Sequence, residues 1–291
     1  ACAQGCFDNL FNLKHVECLC NPMAGHELEA DGDRAEQPKT VMVIGGGAAG
    51  MNAAIAAADR GHRVTLYEKS DRLGGQLYLA AAPPGRGEFA QLARDLEEQV
   101  KCRNIDVRFN EVVDSSVLDR EKPDHVVLAT GAEPMSPPIP GVEMGHVVQS
   151  WDVLAGKAYT GNRVVVVGGG AVGVETALFL AEKGTISGET LKFLLVNRAE
   201  NPEVLYELCT KGTKQVTLIE MLEKIGKDFG KTTKWSMLQD VSRFGVNTMP
   251  ATRVLEITEN GIKVQPEGDG GPAEEIEADS VVLCVGAKPN N

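Results

Sequence analysis

The chain has 291 residues, enough for about two domains at roughly 100–200 residues each. Hydrophobic residues make up 43% and charged residues 24%, as in ordinary globular proteins. The net charge of −12 argues against a nucleic-acid partner, since phosphates require a basic surface. No apolar run is long enough to cross a bilayer, and no signal peptide is visible. We therefore expect a cytoplasmic protein with no nucleic-acid or membrane partner.

Residues 1–36 form an irregular segment that is rich in cysteine. Four of the seven cysteines, Cys2, Cys6, Cys18 and Cys20, lie within the first twenty residues. Thiolates at such spacings bind zinc or an iron–sulfur cluster, and the missing secretory signal favours a metal over disulfides. Zinc usually requires a second C-x2–4-C pair, which is absent here, so zinc stays open as the alternative. Because the chain starts inside this cluster and stops directly after a strand-like run, we expect it to be part of a longer polypeptide.

The first βαβ pattern contains a dinucleotide fingerprint. A β-branched strand runs into G-x-G-x-x-G at Gly45, Gly47 and Gly50, and an Ala-rich helix follows. The first glycine permits the turn, the second lets a pyrophosphate approach, and the third packs the helix on the strand. The helix N-terminus then faces the phosphates. The next predicted strand, Arg63 to Tyr67, ends at Glu68, where a carboxylate accepts hydrogen bonds from ribose hydroxyls. The alternative is a glycine-rich turn without a ligand.

A second βαβ pattern repeats the first after a Pro-rich stretch at residues 134–140. Its fingerprint is Gly168, Gly170 and Gly173, and the acid at the end of its next strand is Glu220. A carboxylate at this point favours the free 2′-hydroxyl of NAD and repels the 2′-phosphate of NADP. The alternative is a solvated charge at the end of a strand.

An insert at residues 185–215 interrupts the second pattern. Asn201-Pro202 is typical of an N-cap followed by proline at the first helical position, and Gly212 of a helix stop. We predict a short helix from Glu203 to Cys209, with no chemical role. The remaining cysteines and the tryptophans are expected to pack in the core rather than act as nucleophiles or ligand contacts: Cys102, Cys209, Cys284, Trp151 and Trp235.

The motifs together resemble a known family. The chain resembles the C-terminal half of the 2,4-dienoyl-CoA reductase, 2-enoate reductase and trimethylamine dehydrogenase family, the iron–sulfur flavoproteins with an old-yellow-enzyme-like barrel. The resemblance covers nearly the whole chain, and its insert looks most like the enoate-reductase side. It is carried by Cys2, Cys6 and Cys18 with Asn21-Pro22, the first fingerprint through Leu73-Gly74-Gly75-Gln76, Ala129-Thr130-Gly131, Gly168 to Glu175, and Lys211-Gly212 ahead of the strand to Glu220.

The resemblance implies a set of cofactors. These are FAD at the first fingerprint, NAD(H) at the second, and a [4Fe–4S] cluster on Cys2, Cys6 and Cys18. The fourth cluster ligand would precede Ala1, as would a barrel that carries FMN and takes the small-molecule substrate, and a late FAD-contacting segment would follow Asn291. Cys20 lies where the family often has Val and is not expected to be a ligand. The implied nucleotide contacts in this chain are Gly45, Gly47, Ala48, Ala49, Gly50, Glu68, Lys69, Gly75, Gln76, Val113, Ala129, Thr130, Gly131, Gly168, Gly170, Ala171, Val172, Gly173, Glu175, Glu220 and Gly286.

The implied reaction passes hydride from NADH to FAD, then single electrons through the cluster to FMN, which reduces an activated C=C bond of a 2-enoate or dienoyl-CoA. No C-x4-C of the glutathione-reductase type lies next to Gly74-Gly75, and no C-x2-C of the thioredoxin-reductase type occurs. We therefore do not expect electrons to leave through a disulfide. Two alternatives stay open: an amine dehydrogenase of the same family with a structural ADP, and a non-catalytic nucleotide-binding scaffold. A homo-oligomer is also open.

The predicted fold is α/β, with two Rossmann-like dinucleotide-binding domains. The two patterns open with matching runs at residues 41–50 and 164–173 and close with matching runs at 125–134 and 280–289, which indicates two copies of one domain type. Continuous β-branched runs predict buried parallel strands in three-layer domains. The predicted boundaries are an incomplete iron–sulfur segment at 1–36, an FAD domain lacking its C-terminal part at 37–155, and an NAD(P) domain at 156–291.

Overall fold

The computed structural model describes residues 4–29, 34–268 and 271–290. The chain forms two compact units, one comprising Ala1–Glu133 with Lys288–Asn291 and the other Pro134–Ala287. Within the described ranges, no helix is both long and apolar enough to cross a membrane.

The first unit contains a four-stranded parallel sheet. Its strands are β1 (Thr40–Ile44), β2 (Arg63–Glu68), β3 (Asp106–Phe109) and β4 (His125–Leu128). They are arranged in the order β3-β2-β1-β4. The helices of this unit are α1 (Asn9–Phe11), α2 (Ala48–Asp59), α3 (Leu77–Ala81), α4 (Glu88–Cys102) and α5 (Ser115–Glu121). A π-helical turn at Gln4–Asp8 and a 3-10 turn at Glu27–Glu29 lie in the cysteine-rich segment.

Helices cover both faces of this sheet. Helix α4 buries Ala93, Leu96 and Val100, which share one face at helical spacing, against α2 and the strands. Helix α5 packs its Val117 on the opposite face. It begins at Asp114, whose side chain accepts hydrogen bonds from two backbone N–H groups of its first turn. The result is the predicted arrangement of three layers.

The second unit carries two sheets. Its elements are β5 (Ala132–Pro134), which begins in the first unit, β6 (Val147–Gln149), α6 (Ser150–Leu154), β7 (Arg163–Val167), α7 (Ala171–Ala181), α8 (Gly188–Val196), α9 (Pro202–Thr210), β8 (Gln215–Ile219), α10 (Lys231–Arg243), β9 (Asn247–Met249), β10 (Thr252–Thr258), β11 (Gly261–Pro266), β12 (Glu274–Glu277), β13 (Ser280–Leu283) and β14 (Ala287–Pro289), which ends in the first unit. The parallel sheet has the order β6-β13-β7-β8-β9, and β10-β11-β12 form an antiparallel sheet. Strands β5 and β14 pair where the chain crosses between the units.

Both faces of the second parallel sheet are covered, which explains its continuous valine run. Val164 and Val166 pack with the helices, whereas Val165 and Val167 pack against the antiparallel sheet. All four are at most 6% exposed. A strand buried on both sides needs apolar residues at every position, so the prediction of buried parallel strands and of an α/β fold is confirmed.

The two compact units divide the chain at a different residue from the predicted domains. The sequence placed the boundary after residue 155, whereas residues 134–155 belong to the second unit. Strand β6 lies in the second sheet because Val147, Val148 and Gln149 pair with β13. Helix α6 follows directly and buries Val153 in the same core.

The predicted helix in the insert is confirmed as α9. The side chain of Asn201 accepts a hydrogen bond from the Val204 N–H group at 2.9 Å, and Pro202 is the first helical residue. Helix α8, capped by Ser187, was not predicted. Gly212 was predicted as the helix stop, but its φ is not positive and Lys211 is the C-cap. A glycine is needed at this position because a Cβ there would lie 2.1 Å from the carbonyl oxygen of Ala181.

Two of the expected core residues are exposed instead. Trp235 is 67% exposed because it lies on the solvent face of α10, opposite the buried Val241. Cys102, the last residue of α4, is exposed as well. Trp151, Cys209 and Cys284 are partly buried.

Candidate functional site

The first fingerprint is a tight turn between β1 and α2. Gly45 has φ +107°, and a Cβ there would lie 2.3 Å from the carbonyl oxygen of Ala129, at the end of β4. A Cβ on Gly50 would lie 1.8 Å from the carbonyl oxygen of Gly45. The first and third glycines are therefore required by the protein's own backbone.

Gly47 is different, because the protein itself does not require a glycine there. Its φ of −74° and ψ of −175° suit any residue, and a Cβ would meet no atom within 4 Å. The space above it faces the N-terminus of α2, whose first N–H groups have no partners inside the helix. Open space beside unpaired N–H groups at a helix N-terminus fits a pyrophosphate.

Glu68 is fixed beside this turn. It is 7% exposed, and one carboxylate oxygen accepts a hydrogen bond from the Gly46 N–H group at 2.7 Å. The other oxygen accepts from the N–H and hydroxyl groups of Ser70, both at 2.8 Å. A carboxylate has about four acceptor positions, so one position stays available for a ribose hydroxyl.

The other residues predicted for the first site are distributed as follows. Gly75 approaches the fingerprint, since its Cβ would lie 3.2 Å from the Cα atom of Gly47. The side chain of Gln76 donates to the carbonyl oxygen of Ala132 at 3.4 Å, beside Gly131. Ala48 and Ala49 are the first residues of α2, and Lys69 is exposed. The N–H group of Ala129 donates to the carbonyl oxygen of Ile44, and the hydroxyl of Thr130 donates to the carbonyl oxygen of Asn290. Val113 packs against the buried side chains of Met42 and Tyr67.

The second fingerprint reproduces the geometry of the first. Gly168 has φ +104°, and its Cβ would lie 2.5 Å from the carbonyl oxygen of Cys284. A Cβ on Gly173 would lie 1.7 Å from the carbonyl oxygen of Gly168. Three of the other predicted residues lie at the start of α7: Ala171 is its first residue, Val172 is 43% exposed, and Glu175 is partly buried. Gly286 has φ +101°, and its carbonyl oxygen accepts a hydrogen bond from the Met135 N–H group.

Glu220 is held in the same way as Glu68. One carboxylate oxygen accepts from the Gly169 N–H group at 2.6 Å, and the other accepts from the Leu222 N–H group at 2.8 Å. Lys224 and Lys227, which could neutralise a 2′-phosphate, are exposed. The Glu220 carboxylate is thus fixed against the glycine turn of its own unit.

Sequence reasoning missed a further loop of the second site. Gly74 donates its N–H group to the carbonyl oxygen of Gly46 at 2.9 Å, and Gly226 donates to Gly169 at 2.7 Å. Each of these glycines lies six positions after the acidic residue of its own unit. This equal spacing was visible in the sequence. The bond from Gly226 to Gly169 places Asp228 beside the fingerprint, and the Oδ2 atom of Asp228 would lie 2.8 Å from a Cβ on Gly170.

The cysteine-rich segment brings two of the predicted ligands onto neighbouring stretches. Glu17 donates its N–H group to the carbonyl oxygen of Gly5 at 3.2 Å, so the residues next to Cys18 and Cys6 are in contact. Cys6 is partly buried and Cys18 is exposed. The third, Cys2, lies outside the described residues. Among those that are described, no group of three or more His, Cys, Asp or Glu side chains could hold a metal.

A cavity of about 450 Å³ in the first unit is not a nucleotide site. It is lined by Thr40, Arg63 and Asp106, which are the first residues of β1, β2 and β3. The fingerprint lies at the carboxyl ends of these strands, where parallel sheets bind ligands.

Cys284 lies behind the second fingerprint and is not a reactive thiol. Burial raises the pKa of this thiol to about 11, and hydrogen bonds from Ser150 and Thr176 oppose the increase only in part. The thiolate is the nucleophilic form, so about one Cys284 thiol in a thousand is ionised at pH 8.

We expect iodoacetamide to modify Cys284 far more slowly than the exposed Cys102 at pH 8, because few Cys284 thiols are ionised and Cys102 is accessible to the reagent. Peptide mapping of the folded protein measures both rates at once. Equal labelling of the two cysteines would contradict the account, whereas equal labelling after denaturation is the expected control.

Comparisons with known proteins agree with this architecture. Residues 39–291 match the family described as pyridine nucleotide-disulphide oxidoreductase. The chain is 46% identical over 294 residues to a metal reductase of Desulforamulus reducens, covering all of this chain and 44% of the relative. It is 37% identical over 295 residues to an NADH oxidase of Thermoanaerobacter brockii, covering 99% of this chain and 41% of the relative.

A solved structure of a 2-naphthoyl-CoA reductase in complex with 2-naphthoyl-CoA is also similar. Its TM-score is 0.83 at 29% identity, and the match covers 99% of this chain and 39% of that one. The chain thus spans about two fifths of the length of each of these three proteins.

Proposed function

Since the chain belongs to the pyridine nucleotide-disulphide oxidoreductase family, we propose that it is the part of an NADH-dependent iron–sulfur flavoprotein reductase that moves electrons from NADH to an FMN-containing barrel. The family consists of flavin-dependent oxidoreductases, so the chain belongs to an enzyme. Its similarity to the metal reductase and to the 2-naphthoyl-CoA reductase confirms the predicted resemblance to this family of flavoprotein reductases.

The observation that carries the proposal is the duplicated nucleotide site. In both units a glycine turn leads into a helix N-terminus, and in both a glutamate carboxylate is bonded to an N–H group of that turn. A redox enzyme that takes hydride from a nicotinamide and holds a flavin needs two such sites. The first unit fits FAD because Gly47 leaves the pyrophosphate path open. When bound, the cofactors supply the redox chemistry, with hydride as input and single electrons as output.

The residues of the chain perform the supporting steps. The α2 and α7 N-termini offer N–H groups and positive dipole ends to the pyrophosphates. Glu68 and Glu220 orient the riboses through their remaining acceptor positions. The loop at Gly74-Gly75 passes beside Gly47 and limits the space in which a flavin nucleotide can lie.

Electrons leave the proposed flavin by a route other than a disulfide. In the described part of the chain, none of these cysteines is in a disulfide: Cys6, Cys18, Cys102, Cys209 and Cys284. None follows Gly74-Gly75 at the spacing of a redox-active pair. Cys2, Cys6 and Cys18 are the proposed ligands of a [4Fe–4S] cluster, which would pass single electrons to FMN in a barrel outside this chain. The proposed reaction is the reduction of an activated C=C bond, of the 2-enoate or dienoyl-CoA type.

Chemical analysis of the full-length protein tests this assignment. We expect FAD, FMN, about four iron atoms and about four sulfides per polypeptide, as a [4Fe–4S] cluster requires. The variant Cys18→Ala should lose iron and sulfide yet keep FAD, and Cys102→Ala is the matched control that should lose neither. Stoichiometric zinc without sulfide would show that the metal is wrong, and a protein without any flavin would refute the proposed function.

A further inference from the structure

The two units present equivalent loops to their glycine turns, and the loops differ in charge. In the first unit the loop is Gly74-Gly75-Gln76, and in the second it is Gly226-Lys227-Asp228. Each loop begins with a glycine whose N–H group donates to a carbonyl oxygen of the fingerprint, Gly74 to Gly46 and Gly226 to Gly169. The neutral Gln76 of the first loop therefore corresponds to the acidic Asp228 of the second.

The carboxylate of Asp228 lies where the first unit has open space. A Cβ on Gly47 would meet nothing within 4 Å, whereas a Cβ on Gly170 would lie 2.8 Å from the Oδ2 atom of Asp228. Gly170 is the N-cap of α7 with extended backbone angles, φ −67° and ψ −174°, almost identical to those of Gly47. The two turns thus have the same backbone, and the carboxylate is what distinguishes the spaces above them.

We propose that Asp228 sets the nucleotide affinity of the second unit by placing a negative charge in the path of the pyrophosphate. The inference rests on the proposed function, because it presumes that this unit binds NADH. A dinucleotide must turn the carboxylate aside and then remain close to it. Asp228 is exposed, so its side chain can move, but the repulsion between like charges persists over several ångströms.

This arrangement suits a nucleotide that has to leave. The FAD proposed for the first unit has to stay bound, and the loop beside its glycine turn, Gly74-Gly75-Gln76, carries no charge. NADH binds and leaves as NAD⁺ in every catalytic cycle, so tight binding would slow product release. A carboxylate beside the pyrophosphate weakens the binding of NADH and of NAD⁺ alike.

The test measures binding to the full-length protein with FAD in place, by calorimetry. The variant Asp228→Asn keeps the size of the side chain and removes its charge. We expect it to bind NADH and ADP-ribose about five- to tenfold more tightly than the parent, as loss of a nearby like charge predicts. Adenosine, which has no phosphate, should bind both proteins equally. The variant Glu259→Gln removes a carboxylate from an exposed turn of the same unit and should leave all three affinities unchanged.

Three outcomes would overturn the proposal. Unchanged ADP-ribose affinity in Asp228→Asn would show that the carboxylate does not act on the pyrophosphate. Weaker binding would show that Asp228 instead supports the nucleotide. An equal gain for adenosine would place the effect away from the phosphates. If the parent binds neither NADH nor ADP-ribose at all, the proposed function fails, and that result is distinct from the other three.

Discussion

The variant Gly47→Val is expected to lose FAD almost completely while it keeps the fold. The backbone at Gly47 accepts a β-branched residue, and the added side chain meets no protein atom at its Cβ. It would occupy the space between the helix N-terminus and the pyrophosphate. Loss of two charge-assisted hydrogen bonds, at about 1.5–3 kcal/mol each, lowers FAD affinity by at least about a hundredfold.

The matched control is Gly87→Val, at another glycine of the first unit that has a negative φ and open space around its Cβ. Flavin content after gel filtration and the thermal unfolding midpoint of each variant are measured together. The account expects similar apoprotein unfolding midpoints in both variants and flavin loss in only one. Full flavin content in Gly47→Val would rule out a pyrophosphate at this turn.

The second large effect concerns the choice of nicotinamide. The parent should prefer NADH because Glu220 and a 2′-phosphate a few ångströms apart repel each other by about 1–4 kcal/mol. That energy corresponds to roughly a factor of five to several hundred in affinity. The variant Glu220→Ala should reduce this preference, but it also removes the bond to the Gly169 N–H group. The variant Glu220→Gln removes the charge while it retains an oxygen that can accept that bond.

The measurement is the ratio of flavin reduction rates with NADH and NADPH at subsaturating concentrations. Both Glu220 variants should shift the ratio towards NADPH, and Glu259→Gln should not. Two results would refute the role of Glu220. One is a parent that uses NADPH at least as well as NADH, through Lys224 or Lys227. The other is an unchanged ratio in both variants.

Local sequence patterns predicted the features that depend on neighbouring residues. The turns at Gly45 and Gly168, the strand ends at Glu68 and Glu220, and the cap at Asn201 all follow from short motifs. They could be located because each glycine or capping residue satisfies a demand of the adjacent backbone.

Features that depend on distant pairing were not predictable. Strand β6 joins the second unit because it pairs with β13, more than 130 residues later, and nothing near residue 155 signals this. The exposure of Trp235 depends on which face α10 turns to solvent. Asp228 is an intermediate case, since the equal spacing from Glu68 to Gly74 and from Glu220 to Gly226 was present in the sequence. Its position over Gly170 required the structure.

We propose that one chain holds a flavin and delivers electrons to it from NADH. Anaerobic titration of the full-length, FAD-loaded protein with NADH, followed by absorbance, tests this most directly. We expect NADH to bleach the flavin band of the parent, and we expect no such change in Gly47→Val, which has no bound FAD. A flavin that dithionite reduces but that neither NADH nor NADPH bleaches would contradict the claim, and bleaching by an amine alone would indicate an amine dehydrogenase instead.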